Sequence, residues 1–177
     1  MMSQLPALVV MGVSGCGKST VGSLLGERLG VPFFDGDDFH PPANKAKMAA
    51  GIPLNDDDRA PWLTEIGMAL VSPAGEAGSS VIACSALKRS YRDLLRSFAP
   101  DTVFIHLTGD AATISDRLSS REHEYMPGSL LASQLATLEP LEPDEPHIAM
   151  DIREDPESLV NRLVRHLVDL PSKVRIS

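Results

Sequence analysis

The sequence predicts an α/β domain in which a five-stranded parallel sheet carries helices on both faces. Three observations point there. Five short apolar runs recur along the chain, helix-periodic segments separate them, and a glycine-rich loop joins the first run to the first helix. Strands that alternate with helices imply right-handed crossovers, and parallel strands covered on both faces read as continuous apolar runs.

The elements follow in order. Leu5 to Met11 is the first strand. After the loop, Val21, Leu24, Leu25 and Leu29 recur at helical spacing and Gly30 stands where a C-terminal cap belongs. Val31 to Phe34 gives a second strand, expected beside the first, with Asp35-Gly36-Asp37-Asp38 at its carboxyl end. Residues 40–61 are rich in Pro, Asn, Lys and Asp and form a substrate-facing excursion, with a short helix over Asn44 to Ala50 stopped by Gly51. Trp62, Leu63, Ile66, Leu70 and Val71 mark the next helix, which ends before Pro73 and the Gly75–Ser80 stretch. Val81 to Cys84 is strand three, Tyr91, Leu94, Leu95 and Phe98 are the inward stripe of a helix, and Thr102 to Leu107 is strand four. Strand five is Ile148 to Ile152. The last helix starts with Asp155 as N-cap, Pro156 at its first position and Glu157 in its first turn, and it buries Leu159, Leu163, Leu167 and Leu170. Residues 121–146 give no regular core element, and excursions of such length are more often functional than idle.

Composition narrows the function classes. The 177 residues read as a single domain spanning 1–177, long enough to bury a core without disulfides or metals. A net charge of −8 argues against a nucleic-acid partner, because cations that neutralise phosphates supply most of such affinity. No apolar run approaches the roughly 20 residues of a membrane helix, and the residues from Met1 lack the basic start of a secretory signal, so a cytoplasmic location is expected. Cys16 and Cys84 show no CxxC spacing and read as free thiols, and the five histidines form no metal-binding pattern.

Gly12-Val13-Ser14-Gly15-Cys16-Gly17-Lys18-Ser19 fits the phosphate-binding pattern of P-loop NTPases, between a strand and a helix as its mechanism requires. The glycines let backbone N–H groups curl around phosphate, the helix N-terminus adds partial positive charge, Lys18 bridges β- and γ-oxygens of ATP, and Ser19 ligates Mg²⁺. Thr20 adds a further phosphate contact. Asp35 and Asp37 protrude at alternate positions beyond strand two, where one carboxylate holds Mg²⁺ through water and the other orients or deprotonates an attacking hydroxyl. Their bland reading is an acidic turn.

The remaining candidates surround an anionic acceptor. Asp56, Asp57 and Asp58 are equally readable as helix-dipole acids or acceptor contacts, while Arg59 is either a surface ion pair or a clamp for a carboxylate. Lys88 and Arg92 stand i, i+4 and share a face if that turn is already helical, or else are solvated charges. Arg117 and Arg121 repeat the spacing near the start of a lid at about 121–128, where such a pair neutralises charge on a transferring phosphoryl group or else forms a polar helix face.

With these residues in place, the chain resembles the gluconokinases, P-loop kinases related to shikimate kinase. The resemblance rests on Met11 to Ser19, Asp35-Gly36-Asp37, His40-Pro41, Lys47-Met48-Ala49, Gly51 to Leu63, Cys84 to Lys88, Tyr91 to Arg96, Leu131 to Leu135 and Thr137 to Pro140. The Pro-Leu-Asn-Asp-Asp-Asp-Arg-x-Pro-Trp-Leu run and Ser85-Ala86-Leu87-Lys88 are its most particular parts. It implies a nucleoside-monophosphate-kinase-like fold with a lid, a homodimer, and transfer of the ATP γ-phosphoryl group to the 6-hydroxyl of D-gluconate. It also implies Asp37 at the reacting hydroxyl, Asp35 near Mg²⁺, His40, Lys47, Arg59, Lys88, Arg92 and Gln134 around the sugar acid, and Arg117 and Arg121 as lid arginines. The chain departs from the pattern in the lid, with His123-Glu124-Tyr125-Met126-Pro127 where similar proteins carry Gly-His-Phe. Shikimate kinase and nucleoside monophosphate kinases are the nearest alternatives, but the former carry a Gly-Gly-Gly turn where this chain has Ser85 to Lys88. A GTPase-type switch lacks its Asn-Lys-x-Asp, since Asn44-Lys45-Ala46 is followed by Lys47.

Overall fold

The structure, a computed structural model, describes residues 5–71, 79–119 and 128–169. Strand β1 (Leu8–Met11) leads through the glycine loop into α1 (Lys18–Leu29), then β2 (Phe33–Asp35), a 3-10 turn over Gly36–Phe39, α2 (Pro42–Ala49) and α3 (Asp56–Val71). There follow β3 (Val81–Ala83), α4 (Arg89–Phe98), β4 (Val103–Thr108), α5 (Ala111–Ser119), α6 (Gly128–Thr137), β5 (His147–Asp151) and α7 (Pro156–Asp169).

All strands pair in parallel, in the order β2-β3-β1-β4-β5. Strand two is therefore not beside strand one as expected, because β3 inserts between them: Val9 pairs with Ile82 on one side and Phe104 on the other. The connections leaving β1 and β3 run to opposite sides, which opens a crevice at the carboxyl edge of the sheet.

The pleat of β1 sorts the core into two layers. Leu8 and Val10 pack with Val21 and Leu25 of α1 and Leu159, Val160, Leu163 and Leu167 of α7. Val9 and Met11 face the other way, against Trp62, Leu63, Ile66 and Leu70 of α3 and Tyr91 and Leu95 of α4. All four β1 side chains are buried, which is why the strand reads as a continuous apolar run. Gly30 caps α1 in the left-handed region (φ 68), and the Ser158 N–H donates to Asp155 Oδ1 (3.1 Å) at the start of α7. Leu170 lies outside the described residues.

The strand ends differ from expectation by up to three residues, and three helices differ as well. α3 begins at Asp56, because Asn55 and Asp58 form a reciprocal cap: Asp58 N–H donates to Asn55 Oδ1 (2.8 Å) and Asn55 N–H to Asp58 Oδ2 (3.0 Å). α2 begins at Pro42, whose fixed φ suits a first helical turn. α6 falls within 121–146, where no regular element was expected. Among the described residues no helix is long and apolar enough to cross a membrane.

Candidate active site

The glycine loop occupies the carboxyl edge of β1. Gly15 (φ 85) and Gly17 (φ 87) lie in the left-handed region, which lets successive N–H groups turn toward one concavity ahead of α1. A Cβ on Gly12 would stand 2.7 Å from Cys16 Sγ and 2.9 Å from the Leu107 carbonyl oxygen, so the loop packs against β4 only with glycine there. Lys18 Nζ donates to the Val13 carbonyl (3.1 Å), folding the cation over the loop's mouth. Ser14 is gripped from outside: its N–H donates to Gln134 Oε1 (2.7 Å). Cys16 and Cys84 are free and buried, and burial pushes the Cys16 thiol up and the Cys84 thiol to about 12.

Although β2 lies one strand away from β1, its end reaches the loop. Ser19 Oγ donates to Asp35 Oδ2 (2.8 Å), and Asp35 Oδ1 accepts from the Asp37 N–H (3.0 Å). Asp37 is exposed on the first turn of the 3-10 segment. Gly36 between the two acids is fixed by Trp62, whose Nε1 donates to the Gly36 carbonyl (2.7 Å), and any side chain at Gly36 would collide with the Ala83 carbonyl. Hydroxyl and carboxylate side by side form a hard-oxygen pair that fits a magnesium ion.

The acceptor candidates line the next stretch of the same edge. His40 stacks on Trp62 (centroids 4.2 Å apart, planes at 14°), and its Nδ1 meets Asn44 Nδ2 at 3.2 Å. Burial, with help from Arg59 and Lys45, lowers the His40 pKa to about 4. The ring is thus neutral, as the Asn44 donor requires. Lys47 holds Asp58 through both carboxylate oxygens (2.9 and 2.8 Å), which holds that acid below its ordinary pKa. Arg59 donates to the Tyr91 hydroxyl (3.2 Å), Lys88 pairs with Asp56 (3.1 Å), and both cations lie over the Tyr91 ring. The Tyr91 hydroxyl in turn donates to Asp56. Asp56 and Asp58 thus tie the cations down while sitting in the first turn of α3.

Two expected acceptor residues are placed elsewhere. Arg92 does not share a face with Lys88, because Lys88 is extended (φ −100, ψ 146) and precedes the helix. Arg92 is fully buried, with Nε on Glu145 (2.7 Å), Nη1 on the Ala86 and Leu87 carbonyls (2.9 and 3.2 Å) and Nη2 on the Glu139 carbonyl (3.1 Å). That is a correction: its donors are consumed inside the protein. Gln134 lies against Ser14 of the phosphate loop. Arg117 reaches the Ile152 carbonyl from α5, and Asp110 caps that helix by accepting from the Thr113 N–H (2.7 Å). Arg121 and the segment expected to form a lid, up to residue 127, lie outside the described residues.

A pocket adjoins the loop, lined by Cys16, Gly17, Thr20, Val21, Arg117, Ile152, Glu154, Pro156 and Leu159. Its far wall, Ile152 to Pro156, was not singled out in the sequence. The only local signal was the Asp155-Pro156 helix start. Asn44 and Tyr91, which touch the candidates His40 and Arg59, were not singled out either, one inside a predicted helix and the other read as core.

A phosphate cradle at the centre of a parallel sheet, with two carboxylates at the end of β2, defines a P-loop phosphotransferase. Residues 14–167 match the family described as Shikimate kinase. A gluconokinase of Gluconobacter oxydans is 48% identical over 159 residues, covering 90% of this chain and 89% of that one. The thermoresistant gluconokinase of Escherichia coli is 44% identical over 153 residues, covering 86% and 87%. The crystal structure of a gluconokinase from Sinorhizobium meliloti superposes with a TM-score of 0.86 at 44% identity, covering 94% of each chain. The chain belongs to the shikimate kinase family and, within it, to the gluconokinases.

Proposed function

We propose that this protein transfers the γ-phosphoryl group of ATP to the 6-hydroxyl of D-gluconate, giving 6-phospho-D-gluconate and ADP. The choice of acceptor is carried by the similarity to gluconokinases along almost the whole chain. The chemistry of the edge supports it. A polyol that ends in a carboxylate needs acceptors for its hydroxyls and cations for its acid, and the acidic group Asp35, Asp37, Asp56 and Asp58 is interleaved with Lys47, Arg59 and Lys88.

In this reading Gly12 to Thr20 cradle the triphosphate, and Lys18 moves from the Val13 carbonyl to the β- and γ-oxygens. Ser19 and Asp35 would hold Mg²⁺, which when bound neutralises charge on the phosphates. Asp37 takes the proton of the attacking hydroxyl, or orients it, as the new O–P bond forms and the bond from γ-phosphorus to ADP breaks. His40, Lys47, Arg59 and Lys88 position the sugar acid, while Arg117 and Arg121 would supply charge against the transferring group. The pocket between Arg117 and Pro156, with apolar Val21, Ile152 and Leu159, suits the flat purine of ATP. Resemblance further supports a single-domain chain with a lid over the site, working as a cytoplasmic homodimer.

A coupled assay of ADP release across gluconate, shikimate, other sugar acids and nucleoside monophosphates tests the proposal. Release is expected to require both gluconate and Mg²⁺. Saturating gluconate that gives no rate above the ATP-only blank overturns it.

A further inference from the structure

The side chain of Gln134 grips Ser14 at two points across 120 residues of sequence: its amide oxygen accepts from the Ser14 N–H (2.7 Å), and its amide NH2 donates to Ser14 Oγ (3.1 Å). The orientation of the amide is fixed by the backbone, because the flipped form would set two donors against each other. A neutral amide is the group this arrangement calls for. A carboxylate in its place has no donor and would add negative charge beside a loop built to bind phosphate, and asparagine is one methylene too short.

The helix that presents Gln134 is held firmly. Leu131 is buried in the core, and Leu135 and Leu138 pack against it. Just past α6, Glu139 N–H donates to the Leu87 carbonyl (2.8 Å), and Arg92 Nη2 binds the Glu139 carbonyl (3.1 Å). Leu87 precedes Lys88, so one helix is fastened to the acceptor-side loop at its end and to the nucleotide loop through Gln134. On the loop, Ser14 immediately precedes Gly15, where the left-handed turns begin. A displacement of Ser14 would change the direction in which the following N–H groups point.

We propose that Gln134 is a positioning residue of the phosphate loop rather than an acceptor contact: by holding Ser14 it pre-forms the loop and so sets nucleotide affinity. This deepens the kinase reading, and the first measurement below does not depend on the identity of the acceptor.

The experiment is calorimetric titration of ADP and a non-hydrolysable ATP analogue into wild type, Gln134→Ala, Gln134→Glu and Gln134→Asn without gluconate, followed by gluconate KM at saturating ATP. Gln134→Ala and Gln134→Asn are expected to weaken nucleotide binding roughly threefold to tenfold, the worth of one net hydrogen bond. Gln134→Glu is expected to weaken it more than alanine does, and most at low ionic strength, although glutamate is the closer match in shape. Gluconate KM is expected to stay within about twofold of wild type, well under the worth of one hydrogen bond. Unchanged nucleotide affinity in Gln134→Ala overturns the inference, whether gluconate KM rises, which returns Gln134 to the acceptor, or stays put, which leaves it a helix residue only. Should Gln134→Ala lower the melting temperature, the order of glutamate below alanine decides, since loss of structure alone would make glutamate the milder change. Expected nucleotide losses in a chain that phosphorylates no gluconate would retain the inference and remove the acceptor, so the two fail separately.

Discussion

Replacing Arg92 by methionine separates a buried structural cation from an acceptor contact. Arg92 and Glu145 are both fully enclosed and meet at 2.7 Å. Breaking such a pair by removing one partner typically costs about 3–5 kcal/mol, because the remaining charge is left buried. Here Glu145 keeps the Glu142 N–H (2.8 Å) and Arg96 Nη2 (3.2 Å), which places the loss near the lower end, about 3 kcal/mol. For a chain of this length that lowers the melting temperature by about 6–12 °C. Urea unfolding should show a lower midpoint with an unchanged slope. Arg92→Met combined with Glu145→Leu should recover part of the loss, since an apolar pair removes the stranded carboxylate. There is also a pH signature. Burial alone would raise the Glu145 carboxyl, but hydrogen bonds from Arg92 and the Glu142 N–H outweigh it and hold the group below its ordinary value. Its stabilising contribution is therefore present above the ordinary glutamate pKa and is lost as pH falls through the folded value, and Arg92→Met should flatten that acid-side slope. A loss under about 0.5 kcal/mol, the size of a bland surface change, with gluconate KM raised instead, would refute the buried-pair reasoning.

Four further outcomes follow from the geometry. Lys18→Met should lose phosphoryl transfer by at least about 10²-fold with an unchanged melting curve, and near-normal turnover would contradict the loop assignment. Asp37→Asn should lower kcat by about 10²- to 10⁴-fold while both substrates still bind by calorimetry, and a kcat close to wild type would remove Asp37 from the proton transfer. His40 folds with a pKa of about 4 against an ordinary value near 6.5, so its contribution to stability is complete above that ordinary value and declines as pH falls toward the folded one. Unfolding free energies across that window should slope less in His40→Gln than in wild type, and equal slopes would count against the neutral stacked ring. Gly36→Ala should destabilise by about 1–3 kcal/mol and lower kcat by shifting Asp35 and Asp37, and a variant that melts like wild type would show that the turn can relax.

What was legible in the sequence was local. The strands announced themselves because both faces of β1, β3 and β4 are covered, and α1 and α7 because Gly30 and Asp155-Pro156 mark their ends. The start of α3 was misplaced because its apolar stripe begins only at Trp62, whereas the helix starts at Asp56 under the cap that Asn55 and Asp58 form. The sheet order was missed because nothing in a strand's own residues tells which strand inserts beside it. Lys88 and Arg92 illustrate the same limit at the site. Their spacing brings them together only if Lys88 is helical, yet Ala86 takes a positive φ of 46 and Lys88 is extended. The partner that claims Arg92 is Glu145, 53 residues on, and the partner of Gln134 is 120 residues back. No periodicity connects residues so far apart.

The charge pattern of the proposed acceptor edge shows how a chain of net charge −8 would receive an acid. Lys47, Arg59 and Lys88 are not loose cations: Lys47 is tied to Asp58, Lys88 to Asp56, and Arg59 to the Tyr91 hydroxyl that itself bonds Asp56. Each tie orders a long side chain before substrate arrives, so less rotamer entropy is lost on binding. Each also leaves donors over, because an ammonium has three and a guanidinium five. In the proposed reading these spare donors would meet the carboxylate of a sugar acid, and Asp56 and Asp58 would accept from its hydroxyls. The same edge ends at Asp35 and Asp37, which in the proposed reaction would repel a newly formed phosphate once Mg²⁺ and ADP depart. In that reading, selectivity for a singly charged polyol and release of a multiply charged product would rest on one arrangement of paired charges.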